Sequence, residues 1–167
     1  MGSFKSYKCE KCGYEYDDYE GTGRGHAEKY NEILESMKSG KLGDKPAEFF
    51  KDNPEGIIDI SCQSMKCLTC GRYESVERMT MLSYIDDRAK RNCRRTVSRY
   101  YKDWSDIEFF TKDYVRSSFT RYFIEREYFD HKCSECGGVL MRFDDFNNAT
   151  CPKCGHKLIE NGGGLWD

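Results

Sequence analysis

Residues 7–17 read YKCEKCGYEYD: two cysteines two residues apart, a glycine directly after the second, then an alternating, tyrosine-rich run. The same CxxCG unit returns at Cys67/Cys70, Cys133/Cys136 and Cys151/Cys154, so eight of the ten cysteines are accounted for and only Cys62 and Cys93 stand outside. Two residues between sulfurs let both thiolates face one ion from a single tight turn, and two such turns complete a tetrahedral S₄ set. The glycines that follow, Gly13, Gly71, Gly137 and Gly155, are what a left-handed turn at that position requires. An even cysteine count also describes secreted disulfide scaffolds. Against that reading, no apolar signal segment follows Met1, and a reducing, cytoplasmic setting is the expectation.

The chain has 167 residues, and its hydrophobic content of 38% is modest, so a small core stapled by metal fits better than a large apolar one. A formal net charge of −2 gives no global attraction to nucleic acid or anionic lipid; any such affinity must be local. No apolar run approaches the length of a membrane span.

Strand-like runs flank the first three knuckles: FKSYK and YEYDDY around Cys9/Cys12, IIDISCQSMK and RYESVERMTML around Cys67/Cys70, YFIEREYFDHK and GVLMRF around Cys133/Cys136. Between the first two knuckles the texture turns helical. From His26 to Ser39, Ala27, Tyr30, Ile33/Leu34 and Met37 fall on one face, with Gly40 placed to end the helix. PAEFFKDN, with Pro46 in its first turn and Pro54 beyond its end, predicts a second short helix. Over residues 83–104, Ser83 and Asp86 resemble a capping pair, and Ile85, Ala89, Cys93, Thr96/Val97, Tyr100 and Trp104 make an apolar stripe. Residues 105–130 are aromatic and fit helix or strand equally.

The expected fold class is therefore α+β: two small zinc-ribbon modules, the first carrying a helical insertion, linked by a basic amphipathic helix. The expected division is 1–82 for the first ribbon with its insertion at about 21–56, 83–127 for the basic helix and aromatic linker, and 128–167 for the second ribbon. The simplest ligand assignment joins neighbours: Cys9, Cys12, Cys67 and Cys70 in one site, Cys133, Cys136, Cys151 and Cys154 in the other. A crossed assignment, first knuckle with last, costs only about 2 kcal/mol more in loop closure, because that cost grows logarithmically. Two zinc ions are the expected cofactors, since four thiolates suit Zn²⁺; iron suits the same cage and is the alternative at the first site.

CEKCGYEYD resembles the first knuckle of rubredoxins, whose second knuckle is typically CPxCG; here the matching CPKCG lies at residues 151–155. Over residues 7–85, the order CxxCGYEY, a helical insertion, CxxCG and MTML is similar to uncharacterised bacterial zinc-ribbon proteins. That resemblance implies zinc and the inserted helices, and brings no activity with it.

No catalytic constellation assembles. His26-Ala27-Glu28 has the HxE form of zinc deaminases, but Thr150, not proline, precedes Cys151. GTGRGHAEK matches neither a P-loop nor GxGxxG. His131 and His156 lie beside knuckles that already have four sulfurs to draw on. The functional lead is the basic row: Arg88, Arg91, Arg95, Arg99 and Lys102 fall within an arc of roughly 80° at 100° per residue. Such a row suits successive phosphates, with an acidic protein surface as the alternative partner. The expectation is a non-catalytic, zinc-binding scaffold for macromolecular binding, with no membrane and no small-molecule substrate; a rubredoxin-like iron electron carrier is the alternative.

Overall fold

The structure is a computed structural model describing residues 2–21, 26–100 and 121–166, with the side chains of residues 26–28 and 96–100 outside that description. In chain order the elements are β1 (Gly2–Lys8), β2 (Glu15–Gly21), α1 (His26–Lys38), α2 (Asp44–Asp52), β3 (Ile57–Asp59), β4 (Cys62–Cys67), β5 (Tyr73–Glu77), β6 (Thr80–Tyr84), α3 (Asp87–Tyr100), β7 (Phe123–Glu127), β8 (Leu140–Arg142) and β9 (Ile159–Trp166). A 3₁₀ turn covers Phe146–Asn148. The class is α+β, with most of the regular structure in sheet.

These elements sort into two units that interleave along the chain, one formed by Met1–Gly23, Ser61–Arg78 and Asp130–Asp167, the other by Arg24–Ile60 and Met79–Phe129. The expected serial division at residues 82 and 127 is thus replaced by one in which the chain alternates between units. Its physical reason is strand pairing over long separations.

In the first unit the antiparallel sheet runs β5-β4-β2-β1-β9. β1 is sandwiched: Phe4 opposes Tyr19 on β2 and Gly164 on β9. One edge of β4 is taken by β5 along its length, while the other is shared by β2 at Cys62 and by β8 at Met65–Cys67. The first and last strands of the chain are therefore neighbours, and neither knuckle at the ends has a sheet of its own. Tyr7, Tyr16, Tyr73, Ala149 and Leu158 form the apolar cluster that also holds Cys9 and Cys151, with Phe143 and Phe146 packed against it.

The second unit carries the inserted helices. Tyr30, Leu34 and Met37 are spaced i, i+4, i+7 and turn one face of α1 onto Phe49 and Phe50 of α2 and onto Ile58, Ile60, Met79 and Met81. Gly40, at φ 77°, ends α1 as its sequence position predicts, its N–H donating to the Met37 carbonyl. β6 lies between β3 and β7 with both faces covered, Met81 packing into the cluster of Tyr30 and Phe49 and Leu82 into that of Cys93 and Phe123, so four consecutive residues, Thr80–Ser83, are buried. Ser83, expected as a helix cap, is in this strand. The cap of α3 is Asp86 alone, whose carboxylate accepts the Ala89 N–H at 2.6 Å. Cys93 enters the small cluster of Leu82 and Phe123, a core position as the helical stripe predicts, and Cys62 is a half-buried strand residue.

Candidate metal centres

Each knuckle is built the same way. The first cysteine ends or directly follows a strand or bridge, its N–H donates to the carbonyl five residues on, and its own carbonyl accepts the N–H of the knuckle glycine. Those glycines hold φ 71°, 73°, 68° and 73° at positions 13, 71, 137 and 155. A side chain there costs about 1–2 kcal/mol in the left-handed region. The turn leaves each first cysteine buried, Cys9, Cys67, Cys133 and Cys151 being 0–3% exposed. Cys12, Cys70 and Cys136 sit at exposed tips, and Cys154 is intermediate.

The sulfurs gather into two groups: Cys9, Cys12, Cys151 and Cys154 in one, Cys67, Cys70, Cys133 and Cys136 in the other. The structure thus groups the eight expected ligands in the crossed arrangement, and the local assignment of Cys9/Cys12 with Cys67/Cys70 is corrected. Pairing β9 with β1 brings the last knuckle to the first; pairing β8 with β4 brings the third to the second. Within each group the two knuckles meet head to tail. Cys9 faces Cys154 and Cys12 faces Cys151, both at 3.4 Å; Cys67 faces Cys136 at 3.5 Å and Cys70 faces Cys133 at 3.7 Å.

These separations fit a shared ion and no covalent bond. A disulfide needs about 2.05 Å, and all ten cysteines are free. Zinc–sulfur bonds of about 2.3 Å arranged tetrahedrally place sulfurs about 3.8 Å apart, close to the spacing seen. Both groups are closed by four thiol sulfurs, so each can hold a metal ion with no ligand from elsewhere in the chain.

The knuckle amides favour thiolates. At Cys67 the N–H of Cys70, against burial and with the Thr69 N–H, brings the thiol down to about 6. Burial opposes ionisation at Cys9, yet the N–H groups of Cys12 and Lys11 and the Cys154 thiol bring it to about 6 as well. One sulfur in each group is therefore ready to take a cation at neutral pH, and metal binding displaces the remaining protons.

Surroundings distinguish the centres. The first is packed by aromatics: Tyr7 stacks on Phe146 with centroids 4.6 Å apart, and Tyr73 meets Phe143 edge-on at 5.1 Å. The second is lined by Met65 and Leu140, with Val76 against them. Supporting residues invisible to motif reading also appear. Tyr73 Oη accepts the Thr150 N–H at 3.1 Å and so anchors the last knuckle to β5. A carboxylate oxygen of Glu74 accepts the Ser134 N–H and Oγ, both at 3.0 Å, and Arg72 pairs with Glu135 to tie the second knuckle to the third. Their only sequence signal is adjacency to a CxxCG unit. His131 is buried with Nε2 3.3 Å from the Arg78 carbonyl, and His156 is exposed; neither joins a sulfur group.

On α3, Arg88, Arg91 and Arg95 are exposed, on the side opposite buried Ala89 and Cys93. Flanking them, Lys90 and Arg94 pair with Glu55 at 3.1 and 2.6 Å. Arg99 lies in α3 with its side chain outside the described residues; Lys102 and most of the aromatic segment, residues 105–120, also lie outside them. No helix among the described residues is long and apolar enough to cross a membrane. No protein-family profile, curated protein or solved structure matches the chain.

Proposed function

We propose that this is a non-catalytic, cytoplasmic zinc protein whose two tetrathiolate centres hold short strands together, and whose α3 helix binds nucleic-acid phosphates. The carrying observation is that each sulfur group is closed by four cysteines of its own. A centre with no open position is structural, whereas a catalytic zinc keeps one for water. Support for the partner is narrower. It rests on Arg88 and Arg91, which are exposed and have no ion pair among the described residues, with Arg95 on the same face.

Changing Arg88, Arg91 and Arg95 together to Glu is expected to weaken binding to a single-stranded oligonucleotide by on the order of a hundredfold, with both metals retained. Three phosphate contacts also set a slope of log K against log salt of about −2. Binding unchanged by the triple substitution would sink the nucleic-acid reading and leave an acidic protein surface as the partner.

A second reading is favoured by one observation. The grouping of Cys9/Cys12 with Cys151/Cys154 joins CEKCGYEYD to CPKCG, the two halves that resemble rubredoxin. Elemental analysis of protein from cells supplied with both metals separates the two: two zincs and no colour support the structural reading. Iron in the first centre, with visible absorption that bleaches reversibly on reduction, makes electron transfer the function.

A further inference from the structure

The two sulfur groups share one ligand set and differ in charge. The first is built from CEKC and CPKC, which place Lys11 and Lys153 between its sulfurs; the second is built from CLTC and CSEC, which carry no lysine and one acid, Glu135. Zn²⁺ held by four thiolates keeps an excess of negative charge, so nearby cations steady it and nearby anions loosen it. Lys153 stays at the first centre, its Nζ 5.7 Å from the middle of the Tyr14 ring. Arg72, which follows the second knuckle, pairs with Glu135.

Glu74 sharpens the contrast. Its Oε1 accepts from the Cys133 thiol at 3.2 Å and from the Ser134 N–H and Oγ at 3.0 Å each. The two serine bonds hold the carboxylate against the sulfur. Once Cys133 binds an ion as a thiolate its hydrogen is gone, and two anionic acceptors face each other with no donor between them. A carboxylate beside a metal ligand ordinarily accepts from the ligand's own N–H and strengthens the site. Here the ligand is a sulfur with nothing left to donate. Among the described residues, the ligand sulfurs of the first centre meet only one another in this way.

Solvent access differs as well. Cys70 and Cys136 are both exposed in the second centre, against Cys12 alone in the first. Leu68 and Val139, joined by the Leu68 N–H to the Val139 carbonyl at 3.0 Å, turn outward at 69% and 44% exposure. At the first centre Phe143 and Phe146 pack instead into the cluster that holds Cys9 and Cys151. Resting on the reading that both groups hold zinc, we propose that the second centre is an exchangeable zinc site, which yields its ion to an outside thiolate or carboxylate chelator and takes it back, while the first keeps its own. No electrons move in this step. The incoming ligand bonds to the ion as the bond to Cys70 or Cys136 breaks, and each freed thiolate takes a proton from solvent until the ion departs on the chelator.

The test uses the zinc-loaded full chain, its metal content fixed by elemental analysis, mixed with excess 4-(2-pyridylazo)resorcinol. Release in two equal phases is expected, one ion in each, with rates about tenfold apart. Amide resonances of Leu68, Glu74 and Ser134 are expected to change in the fast phase, before those of Tyr7, Tyr16 and Leu158. Glu74→Gln keeps an acceptor for Ser134, removes the charge and offers the Cys133 sulfur a donor. It is expected to slow the fast phase about tenfold and to leave the slow phase unmoved. A chain that binds fewer than two zincs would overturn the paired zinc centres themselves. Two zincs released in a single phase, a first centre that empties first, or a fast phase that Glu74→Gln leaves unchanged or quickens would overturn the exchangeable site alone.

Discussion

Stripping both metals from the intact chain with a chelator is expected to unfold the unit that contains β1, β2, β4, β5, β8 and β9. Apparent binding energies of structural zinc run on the order of 10 kcal/mol per site, as large as the whole stability of an ordinary domain. The apolar clusters of this unit do not stand apart from its ligands: Cys9 and Cys151 belong to one, Cys67 and Cys133 to the other. Without the ion, four sulfurs 3.4–3.7 Å from their facing partners are held only by weak S–H contacts. The centre also closes a very long loop, Cys9 and Cys154 being 145 residues apart, and without the ion that closure is left to β1–β9 pairing and to the aromatic cluster around Tyr7 and Phe146. The second unit has no ligand cysteine in its main cluster of Tyr30, Leu34, Met37, Phe49, Phe50, Ile58, Ile60, Met79 and Met81. Hydrogen exchange should therefore lose protection at β1, β2 and β9 on chelation, keep it at β6, and regain the first set when zinc is returned. A first unit that stays protected without metal would show that its strands are held by apolar packing alone.

Much of this was readable from the residues. The four knuckles, their left-handed glycines, both inserted helices, the end of α1 at Gly40 and the core position of Cys93 all follow from local spacing, and local spacing is what a sequence states directly. The pairing of knuckles is a long-range fact. Loop-closure entropy changes too slowly with separation to choose it, and strand pairing decides. The strand that decides is β9, IENGGGLW, whose three glycines argue against strand on propensity. Two of them are there for contact: a Cβ on Gly163 would stand 2.8 Å from the Phe4 carbonyl oxygen, and one on Gly164 would stand 2.9 Å from the Phe4 ring, while one on Gly162 would meet nothing within 4 Å. One local signal did point to the crossed arrangement, the split of the rubredoxin-like pair between residues 9–17 and 151–155. Against it stands the local symmetry of the knuckles, each neighbouring pair being flanked by strands able to form a small sheet of its own. Ser83 has the spacing of a capping residue but stands in β6, whose two faces are covered by separate apolar clusters, and Asp86 supplies the cap instead.

Counting metal ions in two fourfold cysteine variants tests the crossed arrangement most directly. Replacing Cys9, Cys12, Cys151 and Cys154 with Ser removes one centre and leaves the other complete, so one metal per chain is expected, held by Cys67, Cys70, Cys133 and Cys136. Replacing Cys9, Cys12, Cys67 and Cys70 takes half of each centre, and no tightly bound metal is expected. The reverse result, none bound in the first variant and one in the second, would contradict the crossed centres and restore the pairing of sequence neighbours.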